Sequence, residues 1–420
     1  MNLHPISQHN HKLMRIQAFW GGAANGAWVI FAIPYLVRLE ASITLISIYV
    51  ALTSLGPLLI GPIAVANLRS RKQQRRWMLI CGVISRIFFF MPGVALLFND
   101  HQAEIAIAMF CLCAMPTIVF GALWSPTPGI VIEAEHQTLV VNARTRIANI
   151  GALSANAVIG LGMIFLPFPF NYLAVFVISG SLGLAEMRVI SRINYPESSH
   201  TYLESFKENF DVKKILAERQ FLYFLTGICL IVAGSSVAAP LQTVYFINER
   251  GVSDRWMGVW AMALSTGMVF GTLLWRKLQL TRGSYLVFSW TVPIAGFYFL
   301  FMTLAPNVEL ILLATLFSGL INAGTDTGTW LGLFRYGSEE RRTMLINIYI
   351  GFALGIPFIA AFFIPFLTNR FTLTEIFLGS FVIRTLLGLY FKIPRVYDLL
   401  RDDAPNKSDQ SRDEIKRNDE

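Results

Sequence analysis

Apolar residues run along this chain in blocks of about twenty, separated by short polar segments. Phe221 to Ile247 contains no charged residue, and Trp77 to Phe98 contains only Arg86. A run of roughly 18 or more apolar residues is long enough to cross the hydrocarbon core of a bilayer as a helix. Strands of a barrel would instead alternate polarity over roughly 10 residues. The pattern predicts twelve spans, at about 17–36, 42–66, 77–98, 103–123, 146–166 and 168–187, then 220–247, 256–275, 284–304, 308–331, 343–367 and 372–391.

Composition agrees with a chain solvated by lipid. Of its 420 residues 55% are hydrophobic and only 14% charged, where a soluble domain needs roughly 25%. The net charge of +8 is not a nucleic-acid footprint, because the cations cluster in short loops on one side. Of the 34 Lys and Arg, only Arg38, Arg250, Arg255 and Arg370 fall on the side away from the termini, and Arg86 and Arg384 fall within spans. A wrong span count would invert every later loop, so this bias supports twelve spans with both termini in the cytoplasm. The expected location is a prokaryotic plasma membrane. The four cysteines lie in apolar spans without a CxxC pair, so neither a disulfide framework nor a zinc site is expected.

The expected organisation is a cytoplasmic N-terminus (1–16), a first six-helix bundle (17–187), a linker (188–219), a second six-helix bundle (220–391) and a tail (392–420). In the linker, Thr201 and Glu204 fit a capping box, and Leu203, Phe206, Phe210 and Ile215 recur at near-helical spacing. That predicts an amphipathic helix on the membrane surface. The tail is charged and poor in apolar residues, which predicts disorder.

The two bundles resemble each other. Gly61 closes span two ahead of Arg69, Arg71 and Lys72; Gly271 closes span eight ahead of Arg276, Lys277, Arg282 and Gly283. Trp124 ends span four and Trp330 ends span ten. The offsets are 210 and 206 positions, and two parallel six-helix repeats are a common transporter plan. On the repeat, the long middle loop and the two basic loops, the chain resembles the major facilitator superfamily over about 17–391. The resemblance implies an all-α integral membrane fold of 12 transmembrane helices in two six-helix pseudo-repeats. It also implies a cytoplasmic gating loop carried by Gly61, Arg69, Arg71, Lys72, Gly271, Arg282 and Gly283. The acid and second glycine of the family's loop motif are missing from the first copy, and the acid from the second. The arginine motif of span four and the Gly-Pro-rich antiporter motif of span five are also missing.

Ionisable groups in hydrocarbon are costly and need a reason. Asp326, in the polar run Ala323 to Trp330, is read as the one acid well inside a span. It is either a proton- or cation-coupling carboxylate or the partner of Arg335 and loop cations near the span end. Arg86 either binds an anionic substrate or pairs with an acid on a neighbouring helix. In the family, spans one, four, seven and ten line the central cavity, which adds Asn25, Trp28, Gln242, Tyr245 and Asn322 as substrate candidates. Each of these also fits ordinary interhelical packing. Glycines in spans two, five, eight and eleven fall where the halves would slide, and Pro34 and Pro240 where gating bends would lie.

No nucleotide loop, metal-ligand cluster or nucleophile motif is present in the sequence, so no enzyme activity, catalytic residue, metal or cofactor is expected. The expected function is secondary active or facilitative transport of a small solute by alternating access, with protons as a candidate coupling partner. The rival from another class is a non-transporting receptor, scaffold or assembly partner of the same fold.

Overall fold

A computed structural model describes residues 5–66, 71–125, 127–131, 134–194, 219–335 and 342–400. Among these, twelve long helical runs follow one another. The first six are α1 (Pro5–Arg38), α2 (Ile43–Ala66), α3 (Arg71–Phe88), α4 (Gln102–Trp124), α5 (Ala134–Phe165) and α6 (Phe170–Ile190). The second six are α7 (Arg219–Ser236), α8 (Asp254–Arg282), α9 (Ser284–Ile294), α10 (Val308–Arg335), α11 (Arg342–Thr368) and α12 (Leu373–Gly388). Counted with the helical pieces that continue them (Met91–Leu97 after α3, as far as Glu249 after α7, Phe297–Leu304 after α9 and Leu389–Lys392 after α12), eleven are long and apolar enough over their described residues to cross a bilayer, and α2 joins them by length, at 24 residues. Only helices and closed barrels satisfy every backbone group inside lipid.

Proline sets the irregularities. Past Phe88, α3 gives way to a 3-10 stretch, Met91–Leu97, with Pro92 in its first turn, so the third span is not one continuous α-helix as expected. Past Ser236, α7 continues as Ala238–Val244 and a π-turn, Tyr245–Glu249. The step falls where Pro240 has no N–H to give the carbonyl of Ser236. Pro34, by contrast, lies inside an unbroken α1.

The packing repeats. In the first bundle α1 packs on α5 and α6, α2 and α3 on α4, and α3 on α6; in the second α7 packs on α11 and α12, α8 and α9 on α10, and α9 on α12. The bundles meet along two seams, α2 with α11 and α5 with α8. The twelve helices are therefore two copies of one six-helix unit.

The buried cores show how the halves are joined. Toward the face opposite the termini one cluster crosses both halves, taking Phe31, Tyr35, Phe110 and Phe176 from the first and Phe246, Met257, Trp260 and Phe377 from the second. Toward the terminal face each half has its own, with Met14, Met78, Phe120 and Ile190 in one and Phe224, Phe288, Leu333 and Phe391 in the other.

One boundary differs from the sequence reading. The tail expected to be disordered from 392 begins with a helix, Pro394–Leu400, whose Val396 and Leu400 are buried. Its apolar residues fall on one side and cover the end of the second bundle. The amphipathic helix expected in the linker lies outside the described residues.

Candidate functional site

The first half is threaded by a polar chain. Glu186 on α6 is 2% exposed and accepts from Arg86 Nη2 at 2.8 Å and from Gln17 Nε2 at 2.7 Å. Arg86 also donates to Asn25 Oδ1 at 3.1 Å, and Arg144 Nη2 donates to Gln17 Oε1 at 3.1 Å. An Arg–carboxylate pair this buried is strongly coupled, and removing one partner costs about 3–5 kcal/mol. Asn25 and Arg86 thus come together, and Arg86 takes the paired alternative.

Two of these charges were misplaced by the sequence reading. Asp326 is not the only acid deep in a span, because α6 runs on to Ile190 and encloses Glu186. Arg144 is not a loop cation, because α5 starts at Ala134 and carries it ten residues in. The available signal was a matched pair of charges, Arg86 and Glu186, in apolar segments, since such charges occur paired.

Between the halves, on the terminal side, lies a cavity of about 250 Å³ lined by Ala18, Trp124, Ser125, Pro128, Arg144, Thr145, Ala148 and Trp330. Trp124 and Trp330, the two landmarks of the repeat, face the same space. The Arg144 guanidinium stands over the Trp124 ring at 5.6 Å. A second cavity of about 380 Å³ shares Ser125 and Trp330 and runs toward Pro57, Ile118, Tyr349 and Ala353. Ligand pockets run about 300–1,000 Å³; the second cavity falls in that range, and the first, which shares Ser125 and Trp330 with it, is slightly smaller.

Asp326 lies one turn deeper than Trp330 on the same face of α10. That helix reaches Arg335, so Asp326 sits nine residues from its end, deeper than the expected span placed it. Its side chain is exposed within the protein and makes no hydrogen bond or ion pair among the described residues. Arg384 on α12 and Tyr349 on α11 are its electrostatic neighbours. Asn322, a turn further, donates to Ser318 Oγ at 3.2 Å.

Across the opposite face, Asp254 at the start of α8 is gripped by the first half. Arg38 Nε lies 2.6 Å from its Oδ1 and Tyr172 OH donates to the same oxygen at 3.1 Å, while Asn171 Nδ2 donates to Oδ2 at 3.0 Å. Arg38 also donates to the Val252 carbonyl at 3.0 Å. Sequence reading assigned none of these four side chains a role, because their loops are far apart in the chain.

No protein-family model and no curated protein sequence matches this chain. Solved structures do. A bacterial homologue of the iron transporter ferroportin, in an outward-facing state with soaked iron, aligns at TM-score 0.65 and 14% identity, over 91% of this chain and 98% of that one. The same homologue in the outward-facing state gives TM-score 0.62 at 14% identity, over 93% and 99%. The E. coli fucose:proton symporter gives 0.61 at 12% identity, over 90% and 97%.

The fold is that of the major facilitator superfamily.

Within the major facilitator fold the remaining candidates separate. Trp28 is stacked on Phe89 at 4.1 Å between centroids, with Phe110 and Phe176 edge-on, inside the first bundle. Gln242 donates to Tyr298 OH, which also accepts from Trp260 Nε1 at 3.3 Å, inside the second. Tyr245 is 3% exposed and its OH accepts from Arg250 at 2.8 Å. None of these three lines either cavity.

In the basic loops, Arg69, the surroundings of Gly61 and the side chain of Arg71 lie outside what is described. Lys72 and Arg282 are exposed, and Gly283 ends α8 at φ 90°, a conformation that suits glycine. Gly271 and Gly267 face Leu320 and Leu316 of α10 in their own half. They do not lie on the sliding seam where the sequence placed them. The seam is served by Gly160 on α5 and Gly258 on α8, with a buried hydrogen bond from Asn156 Nδ2 to Ser265 Oγ at 2.9 Å.

Proposed function

We propose that this protein carries a small solute across a lipid bilayer by alternating access. The observation that carries the reading is the asymmetry of the join. Near the opposite face the halves share one apolar core and the Asp254 latch; on the terminal side the cores part around a cavity. A central site reached from one face and sealed from the other is what such a transporter needs in one of its two states.

The positive-inside bias supports a cytoplasmic terminal face and cytoplasmic termini, and in this reading the state is open to the inside. The reverse state requires Asp254 to leave Arg38, Asn171 and Tyr172 and the terminal side to close. Pivoting falls to the α5–α8 seam, where Gly160 and Gly258 let the backbones approach. Asp326 is the coupling carboxylate in this reading: an unpaired acid one turn above the cavity gains a proton or cation in one state and releases it in the other. Arg69, Arg71 and Lys72 of one basic loop and Arg282 of the other serve as cytoplasmic gate cations.

The ferroportin homologue was soaked with iron and the symporter is one of fucose with protons. At 14% and 12% identity neither cargo passes to this chain, and among its described residues no three His, Cys, Asp or Glu come together.

The test is a substrate screen with the purified protein reconstituted in vesicles, comparing it with a form whose latch is locked by a cross-linker between cysteines at 38 and 254. Flux that stops on cross-linking and returns on cleavage of the linker supports the reading. Flux indifferent to the lock refutes it.

A further inference from the structure

We propose that the terminal-side cavity binds an organic anion: a carboxylate or phosphate monoester on a flat apolar body. Its charge rests on Arg144 and its body lies against Trp124 and Trp330. The site rests on the transport reading for its purpose, but binding is measured without flux.

The charge around the cavity does not balance. Among the described residues Glu186 is the one acid in the first-half network, and both of its oxygens are taken, by Arg86 at 2.8 Å and Gln17 at 2.7 Å. Arg144 reaches that acid only through the neutral Gln17 amide. Arg144 has no carboxylate of the described residues within 4.0 Å, and its Nε has no hydrogen-bond partner. Two guanidinium groups therefore share one carboxylate. A half-buried cation in that position is stabilised by an arriving anion, and a guanidinium presents donors in a fork that fits a carboxylate or phosphate bidentately.

The rest of the wall suits a flat body. The Arg144 Cζ stands 5.6 Å from the Trp124 ring centroid, and its Nε is left for a hydrogen bond. Trp330 comes from the other half, so a ligand touching both tryptophans bridges the two repeats. Among the described residues no acid lines this cavity. The adjoining cavity, with Ile118, Tyr349 and Ala353, extends the apolar space beyond Trp330. A cationic ligand would find no partner at Arg144, and a neutral one could offer its Nε an acceptor but no counter-charge.

Isothermal titration of the full chain in lipid nanodiscs with four matched probes tests this: 1-naphthoate, 1-naphthyl phosphate, 1-naphthamide and 1-naphthylmethylamine. Saturable binding of at least one anion, tenfold or more tighter than the amide and with no saturation by the amine, is expected. Naphthoate alone or naphthyl phosphate alone assigns the charged group; either supports the site. Arg144→Gln should weaken the anions at least tenfold and leave the amide unchanged, Arg144→Lys should restore part of the loss, and Trp330→Ala should weaken anions and amide alike. Should Arg144→Gln fail to fold, the acid-to-amide ratio in the unmodified chain and in Arg144→Lys still decides. Equal binding of acid and amide, preference for the amine, an indifferent Arg144→Gln, or no saturation by any probe overturns the anion site. None of those outcomes touches alternating access, which the locked-latch flux measurement judges separately.

Discussion

Arg38 at the end of α1 and Asp254 at the start of α8 lie 2.6 Å apart across the two halves, and this pair closes the face opposite the termini. Asp254 also sits in the first turn of its helix, where the dipole favours an anion. Hydrogen bonds to a charged group contribute about 1.5–3 kcal/mol each. Asp254→Asn weakens several at once. It should shift the equilibrium toward the state open on that face by at least tenfold, as about 1.4 kcal/mol corresponds to a factor of ten. A cysteine replacing Ala238, which is fully buried where α7 meets α1 and α2, reports the shift through faster labelling by a membrane-impermeant maleimide. Unchanged labelling would remove the latch from the gate.

The Arg86–Glu186 pair should matter for stability more than for cargo. With side chains 1% and 2% exposed, Glu186→Gln leaves a buried guanidinium short of its counter-charge, at a cost of about 3–5 kcal/mol. Replacing both, as Arg86→Met with Glu186→Gln, should recover a large part of that loss. Thermal unfolding in detergent measures both, and a double variant no better than the single would show that the pair is not the source.

Asp326 separates coupling from packing. It makes no hydrogen bond or ion pair among the described residues, so Asp326→Asn should fold with an unfolding midpoint close to that of the unmodified chain. In vesicles the same change should flatten the pH dependence of flux. Equal flux with an equal pH profile would take Asp326 out of the mechanism.

The α5–α8 seam makes an asymmetric prediction. A Cβ at position 258 would stand 2.7 Å from the Gly160 Cα, which is backbone and cannot yield. A Cβ at position 160 would meet the Met262 sulfur at 3.1 Å, the far end of a flexible side chain. Gly258→Ala should therefore cost about 1–3 kcal/mol and slow exchange between states, while Gly160→Ala is tolerated. Equal effects in unfolding and in labelling kinetics would contradict this crossing.

The twelve helices, their order and the doubling of a six-helix unit were determined by the sequence alone. Lipid imposes that much, because every backbone group must be satisfied within its own helix and every cation must stay on its side of the membrane. Span ends were legible only to within several residues, and that margin hid Glu186 and Arg144. Glu186 falls one residue inside the expected end of span six and Arg144 two residues before the expected start of span five, so neither reads as deep in a span. Which glycines face the partner half was not legible either. Gly160 and Gly267 look alike along the chain, yet one meets α8 and the other α10. Only the tertiary structure decided the contacts made by side chains hundreds of residues apart: Arg38 with Asp254, Arg86 with Glu186, and Trp124 and Trp330 across one cavity. Helix periodicity fixes the face a residue occupies, whereas its partner depends on how twelve such faces pack around one another.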